Sequence, residues 1–135
     1  MNKSLNRMLV LLAVSLPLAA SAGELYFISP ADGAVTGTEV SVKFGLRGMG
    51  VAPAGVEREG TGHHHLLIDL EELPDLAQPL PATGNVRHFG GGQTEAVIEL
   101  APGTHTLQLL LGDHAHIPHD PPVVSEKITI EVRAD

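Results

Sequence analysis

Short runs of alternating apolar and polar residues, separated by turn residues, dominate the chain from residue 25 onward. Glu39 to Leu46 sets Val40, Val42, Phe44 and Leu46 against Ser41 and Lys43, a period of two that places one face on a core and the other in water. Leu25 to Ser29 reads as an earlier strand closed by Pro30-Ala31-Asp32-Gly33. His63 to Leu70, the region 86–89, Glu95 to Leu100, Thr104 to Leu111 and Lys127 to Val132 supply the others, with Pro102-Gly103 as the tight turn into Thr104. A brief helix is expected only at Leu70 to Ala77. About seven short strands and almost no helical periodicity predict an all-β fold, a single immunoglobulin-like antiparallel β-sandwich.

The first 22 residues have a different character. Lys3 and Arg7 precede an apolar run from Met8 to Ala20, and Ala20-Ser21-Ala22 has the small-x-small form of a signal-peptidase site. The expected organisation is a signal peptide at 1–22 and one exported domain at 23–135, periplasmic or secreted. The apolar run is short for a membrane span of about 20 residues, so no stable membrane insertion is expected after cleavage. Without Lys3 and Arg7, six basic residues remain of 8 and face 16 acidic ones, a net charge near −10 with histidine neutral. Nucleic acid and anionic membrane surfaces are therefore not expected as partners.

The chain contains no cysteine, which removes disulfides, thiolate metal ligands and cysteine nucleophiles. Of 3 methionines only Met49 lies beyond the leader, so a thioether-rich Cu(I) site is hard to build. Any metal is pushed towards imidazole and carboxylate.

Of 8 histidines, seven fall in three segments: His63, His64 and His65, then His88, then His114, His116 and His119. Imidazole holds Zn, Cu and Ni and titrates nearest neutrality. With strands lettered in order, a Greek-key arrangement brings the loops carrying these segments to one end of the sandwich, where binding loops sit. His105 belongs to the opposite end. His63 and His65, two apart in a strand, share a face with α-carbons about 6.5 Å apart, while His64 faces the other way. Leu66 and Ile68 share the parity of His64, and Leu67 and Asp69 that of His63 and His65, so the pattern leaves open which face is buried. The same triple also reads as one buried, hydrogen-bonded histidine flanked by two exposed ones.

The segments Phe44 to Val56, Thr61 to Asp69, His88 to Glu95, His105 to Asp113 and His119 to Val123 resemble the signature blocks of the DUF4399 family, exported bacterial domains of unknown function. The resemblance implies export and a shared fold; it brings no established ligand set.

Three classes of function follow. The first is a metal-binding module, in which His63, His65, His88, His114, His116 and His119 supply the ligands for Cu(II) or Zn(II), with Asp113 as a helper. Its affinity should fall as pH drops through the histidine range, because ligation needs neutral imidazole. The second is an adaptor that binds a peptide, glycan or periplasmic protein partner through the same loops, with the apolar, uncharged run Gly48 to Gly55 as contact surface. The third, a metal-dependent hydrolase with Glu57, Glu59 or Asp120 as base, lacks an HExxH or GxSxG motif and aromatic residues to line a substrate pocket.

Overall fold

The computed structural model describes residues 23–134, so the expected signal peptide lies outside the described residues. Among these residues there is no helix, and none is long and apolar enough to cross a membrane. The elements are β1 (Glu24–Ser29), β2 (Val35–Thr36), β3 (Glu39–Arg47), β4 (Gly50–Val51), β5 (Thr61–Ile68), β6 (Val86–His88), β7 (Glu95–Glu99), β8 (Gly103–Gly112) and β9 (Ile128–Val132). All seven expected strands are present within two residues of their expected limits, and two short pieces, β2 and β4, are added.

The strands form two sheets packed as a β-sandwich. The smaller has the order β1-β3-β7, and the larger runs β2-β9-β8-β5-β4, with β6 on β5. Pairing among the main strands is antiparallel; β2 with β9 and β4 with β5 are parallel. The alternation read from the sequence becomes burial. Val40, Val42 and Phe44 of β3 and Ile128, Ile130 and Val132 of β9 are buried, while Glu39, Ser41, Lys43, Thr129 and Glu131 are exposed. These inward residues meet Leu25, Leu66, Ile68, Ile98, Leu107, Leu109 and Leu111 in one core between the sheets.

β5 departs from this alternation. Every residue from Gly62 to Ile68 is buried, because both faces of the larger sheet are covered at this strand. His64, Leu66 and Ile68 face the inter-sheet core. On the outer face Leu67 joins a second apolar cluster with Leu80, Val86 and Leu110, flanked by Leu70, Leu76 and Val124. The covering is supplied by the connection 69–85 and by residues 113–124. The mixed parity of the sequence thus reflects a strand with two buried sides.

The expected helix at Leu70 to Ala77 does not form. β5 ends at Ile68, and the next residue, Asp69, has a left-handed backbone with φ 56. Pro74 lacks a donor for a helical ladder, and the Asp75 carboxylate accepts the Ala77 N–H at 2.9 Å, a local bond that competes with helix formation.

Candidate metal centre

β5 sits between β8 and β6, and its register aligns the histidine segments. His65 lies opposite His88 of β6, and on the other side His63 pairs with Gly112 at the end of β8. The chain then turns back: Asp113 N–H donates to the Ile117 carbonyl, and Gly112 bridges to Pro118. This turn lays His116 over the outer face of β5, on the side of His63 and His65. Histidines of all three segments therefore meet, on the outer face of the larger sheet beneath the 113–119 turn, whereas the strand topology predicts them among loops at one end of the sandwich.

His116 reaches that position through a left-handed backbone, φ 63, a conformation costly for a residue with a Cβ. Asp113 holds it there. One carboxylate oxygen accepts the Ala115 N–H at 2.8 Å and the Ile117 N–H at 2.9 Å, while the Asp113 carbonyl accepts the His116 N–H at 3.0 Å. Gly112 makes room beneath: a Cβ there would lie 2.5 Å from Cε1 of His65.

Four imidazoles share the resulting space. His63 Nε2 is 2.9 Å from His116 Nδ1, and His88 Nδ1 is 3.2 Å from the same His116 nitrogen. Ring centroids are 4.5 Å apart for His63 and His65 and 4.4 Å for His65 and His88. His63, His65 and His116 offer nitrogens within 4.8 Å of one another, a group that can hold a metal ion. His63 and His65 have no solvent exposure, and Nδ1 of His63 and both nitrogens of His65 have no well-formed hydrogen bond within the protein, although the Leu110 backbone interacts with the His65 ring.

Proton positions explain why this arrangement is unusual. His88 Nε2–H donates to the Pro81 carbonyl at 2.9 Å, so the neutral ring presents a bare Nδ1 to His116. His116 Nδ1 then contacts two ring nitrogens from one in-plane position, so a single proton is shared among the three. Carried by His116 it is split between two acceptors; carried by His63 it leaves the lone pairs of His116 and His88 facing each other. Burial adds to the proton shortage: it is the main cause that pulls the His63 pKa down to about 4 and that of His65 to about 3, with the neighbouring imidazoles assisting. His116 is lowered by burial and by His88, against the charge of Asp113.

The remaining candidates are placed differently. His114 and His119 line an adjoining cavity of about 460 Å³ with Glu57, Glu59 and Asp113, and His119 is near enough to His63 to help lower its pKa. The ring Nε2–H of His119 donates to the Thr61 carbonyl at 3.1 Å. Asp113 acts through the backbone of the turn. Asp120 is exposed. His64 points into the inter-sheet core, its ring 5.0 Å from that of Phe44, with neither nitrogen hydrogen-bonded within the protein; burial lowers its pKa to about 4. His105 sits far along β8 from the turn, its ring nitrogens each 2.7 Å from an acceptor, Asp69 Oδ2 and the Ala101 carbonyl. Partial burial lowers its pKa, but the two hydrogen bonds and the Asp69 charge outweigh this and leave it raised.

The Gly48 to Gly55 run, expected as an exposed contact surface, is exposed at Gly48, Gly50, Pro53 and Gly55 while its backbone is tied into the fold. Ala52 is buried, its N–H donates to the Gly62 carbonyl, and the N–H groups of Ala54 and Gly55 donate to the carbonyls of Gly90 and His114.

No curated protein and no solved structure matches the chain significantly. The profile of DUF4399, a domain of unknown function, matches residues 42–133, a span that contains β5 to β9 and all four converging histidines. The chain belongs to the DUF4399 family.

Proposed function

We propose that this domain is an exported periplasmic metal-binding module that holds one Cu(II) or Zn(II) ion at His63, His65, His88 and His116. The observation that carries the reading is the meeting of the His63 and His88 ring nitrogens on a single nitrogen of His116, at 2.9 and 3.2 Å. Ligand atoms at 2.0–2.1 Å around a tetrahedral ion are about 3.3 Å apart, so these spacings are close to those of a ligand shell. A cation at their centre would turn opposed lone pairs into bonds. The nitrogens of His65 face the same need, since a buried polar group without a well-formed hydrogen bond is destabilising.

The donor set matches the expectation from composition in lacking sulfur, and it differs in gathering imidazoles with no carboxylate among them. Imidazole suits copper and zinc alike. Burial keeps His63 and His65 neutral at the pH of the periplasm, which is the state that binds metal. Glu57 and Glu59 stay outside the convergence, which favours holding an ion over hydrolysis.

Calorimetric titration of the metal-stripped protein with Cu(II) and with Zn(II) at pH 7.5 tests the reading. One-to-one binding at micromolar or tighter supports it. Binding of both ions no tighter than about millimolar overturns it.

A further inference from the structure

The four converging histidines leave one long segment unaccounted for, the connection between β5 and β6. Residues 69–85 cross the outer face of the larger sheet without a regular element and with Pro74, Pro79 and Pro81 in their course. Near its start this strap is held by Lys127, whose Nζ donates to the carbonyls of Leu70 and Glu71. At its end Asn85 Nδ2 donates to the Ile68 carbonyl at 2.9 Å.

The middle is anchored to the histidines themselves. Leu80 N–H donates to the His116 carbonyl at 2.8 Å, and the Pro81 carbonyl accepts Nε2–H of His88 at 2.9 Å. Two adjacent residues of the strap thus bond the 113–119 turn on one side and β6 on the other, through two different members of the cluster. The Pro81 bond also fixes the tautomer that turns His88 Nδ1 towards the centre, the role that carbonyl partners play behind metal-bound histidines. Between these two bonds the Leu80 side chain, 4 % exposed, fills the outer apolar cluster with Leu67, Val86 and Leu110.

We infer that the 69–85 strap is coupled to occupancy of the histidine centre, so that ion binding tightens the strap and the strap in turn sets ion affinity. This rests on the metal-binding reading above. An ion that draws His88 and His116 together stiffens both groups to which Leu80 and Pro81 are bonded. By linkage, loosening the strap must weaken ion binding by the same factor. The Leu80 side chain has no atom that could ligate an ion and packs in the outer apolar cluster, so its truncation reaches the ion through this coupling.

Hydrogen exchange read by mass spectrometry, with and without saturating Zn(II), tests the inference on the intact protein. Peptides spanning 70–82 should exchange several-fold more slowly with zinc, while peptides from β1 and β3 in the smaller sheet should not change. Leu80→Ala should speed exchange in the same peptides and weaken zinc binding about 5- to 20-fold. The milder Leu80→Val, which keeps most of the apolar contact, should give a smaller effect in the same direction and guards against simple misfolding. Zinc that binds tightly without slowing exchange over 70–82, or a Leu80→Ala protein that is folded and binds with unchanged affinity, overturns the coupling while leaving the metal site standing. Failure of zinc and copper to bind at all removes the reading beneath it.

Discussion

His63 Nε2 and His116 Nδ1, 53 positions apart in the chain, lie 2.9 Å from each other on the outer face of the larger sheet. His63 is carried by β5 and His116 by the 113–119 turn, so the contact joins the two elements. If the pair is one edge of a ligand shell, His63→Ala, His65→Ala and His116→Ala should each weaken Cu(II) or Zn(II) binding by about 10- to 1000-fold, as loss of a metal ligand does. His105→Ala, at the far part of β8, should leave affinity within about twofold. Calorimetry on the four variants decides; equal loss in all would mean that the effect is on folding.

Stability of the metal-free protein should fall steeply in mild acid. His63 and His64 titrate near 4 and His65 near 3 in the folded chain, each lowered chiefly by burial, against about 6.5 in the unfolded one. Between pH 6.5 and about 4 the unfolded state takes up protons that the folded state refuses. The stability is therefore present above pH 6.5 and lost as pH drops, by up to about 1.4 kcal/mol per pH unit for each ring. His105, raised by Asp69, acts in the opposite sense and loses its contribution as pH rises through its folded value. Three lowered rings outweigh one raised ring, so urea midpoints measured at pH 7.5, 6 and 5 should fall in that order. A flat profile would show that the three histidines are hydrated.

Much of this could be anticipated from residue types alone, and the gaps have physical causes. Val40, Val42 and Phe44 reveal β3 because one of its faces is wet; Gly62 to Ile68 hides its orientation because β5 is buried on both sides. The convergence of His63, His65, His88 and His116 follows from strand order and spacing. What separates His116 from His114 is the left-handed turn held by Asp113, a backbone state that no spacing rule encodes. The one sequence cue is the Asp113-His-Ala-His-Ile117 run itself, where an aspartate precedes a residue that must turn. The helix expected over 70–77 was lost to Pro74 and to the Asp75 side chain, local chemistry that outweighed a weak apolar pattern.

Asp113 offers a test of how the turn is set. Its carboxylate oxygen accepts from the N–H groups of Ala115 and Ile117. Asp113→Ala removes that acceptor and should destabilise the protein by about 1–3 kcal/mol and lower metal affinity at least tenfold as His116 loses its aim. Asp113→Asn keeps an amide oxygen in place and should recover most of the affinity. If alanine and asparagine behave alike, the charge rather than the hydrogen bonding is what matters.

Gly112 is fixed by packing. An added methyl would lie 2.5 Å from Cε1 and 3.1 Å from Nδ1 of His65, a ring with no room to retreat. Gly112→Ala should cost about 1–3 kcal/mol and displace the His65 donor, so that thermal stability and metal affinity fall together. Gly50→Ala, where a Cβ meets only Thr61 Cγ2 at 3.6 Å, an ordinary contact, is the matched control and should leave affinity unchanged.

His64 separates the two faces of β5 most sharply. It stands between two members of the cluster in sequence, yet it faces the inter-sheet core beside Phe44, with both nitrogens buried and without hydrogen-bond partners within the protein. A polar ring so placed costs about 1–3 kcal/mol relative to an apolar side chain of similar volume. His64→Leu should therefore raise the denaturation midpoint and remove one of the rings responsible for acid sensitivity, while copper or zinc affinity stays within about twofold. Loss of metal binding in a His64→Leu protein that is more stable than the parent would place the ion on the inner face and refute the assignment of His63 and His65 as its ligands.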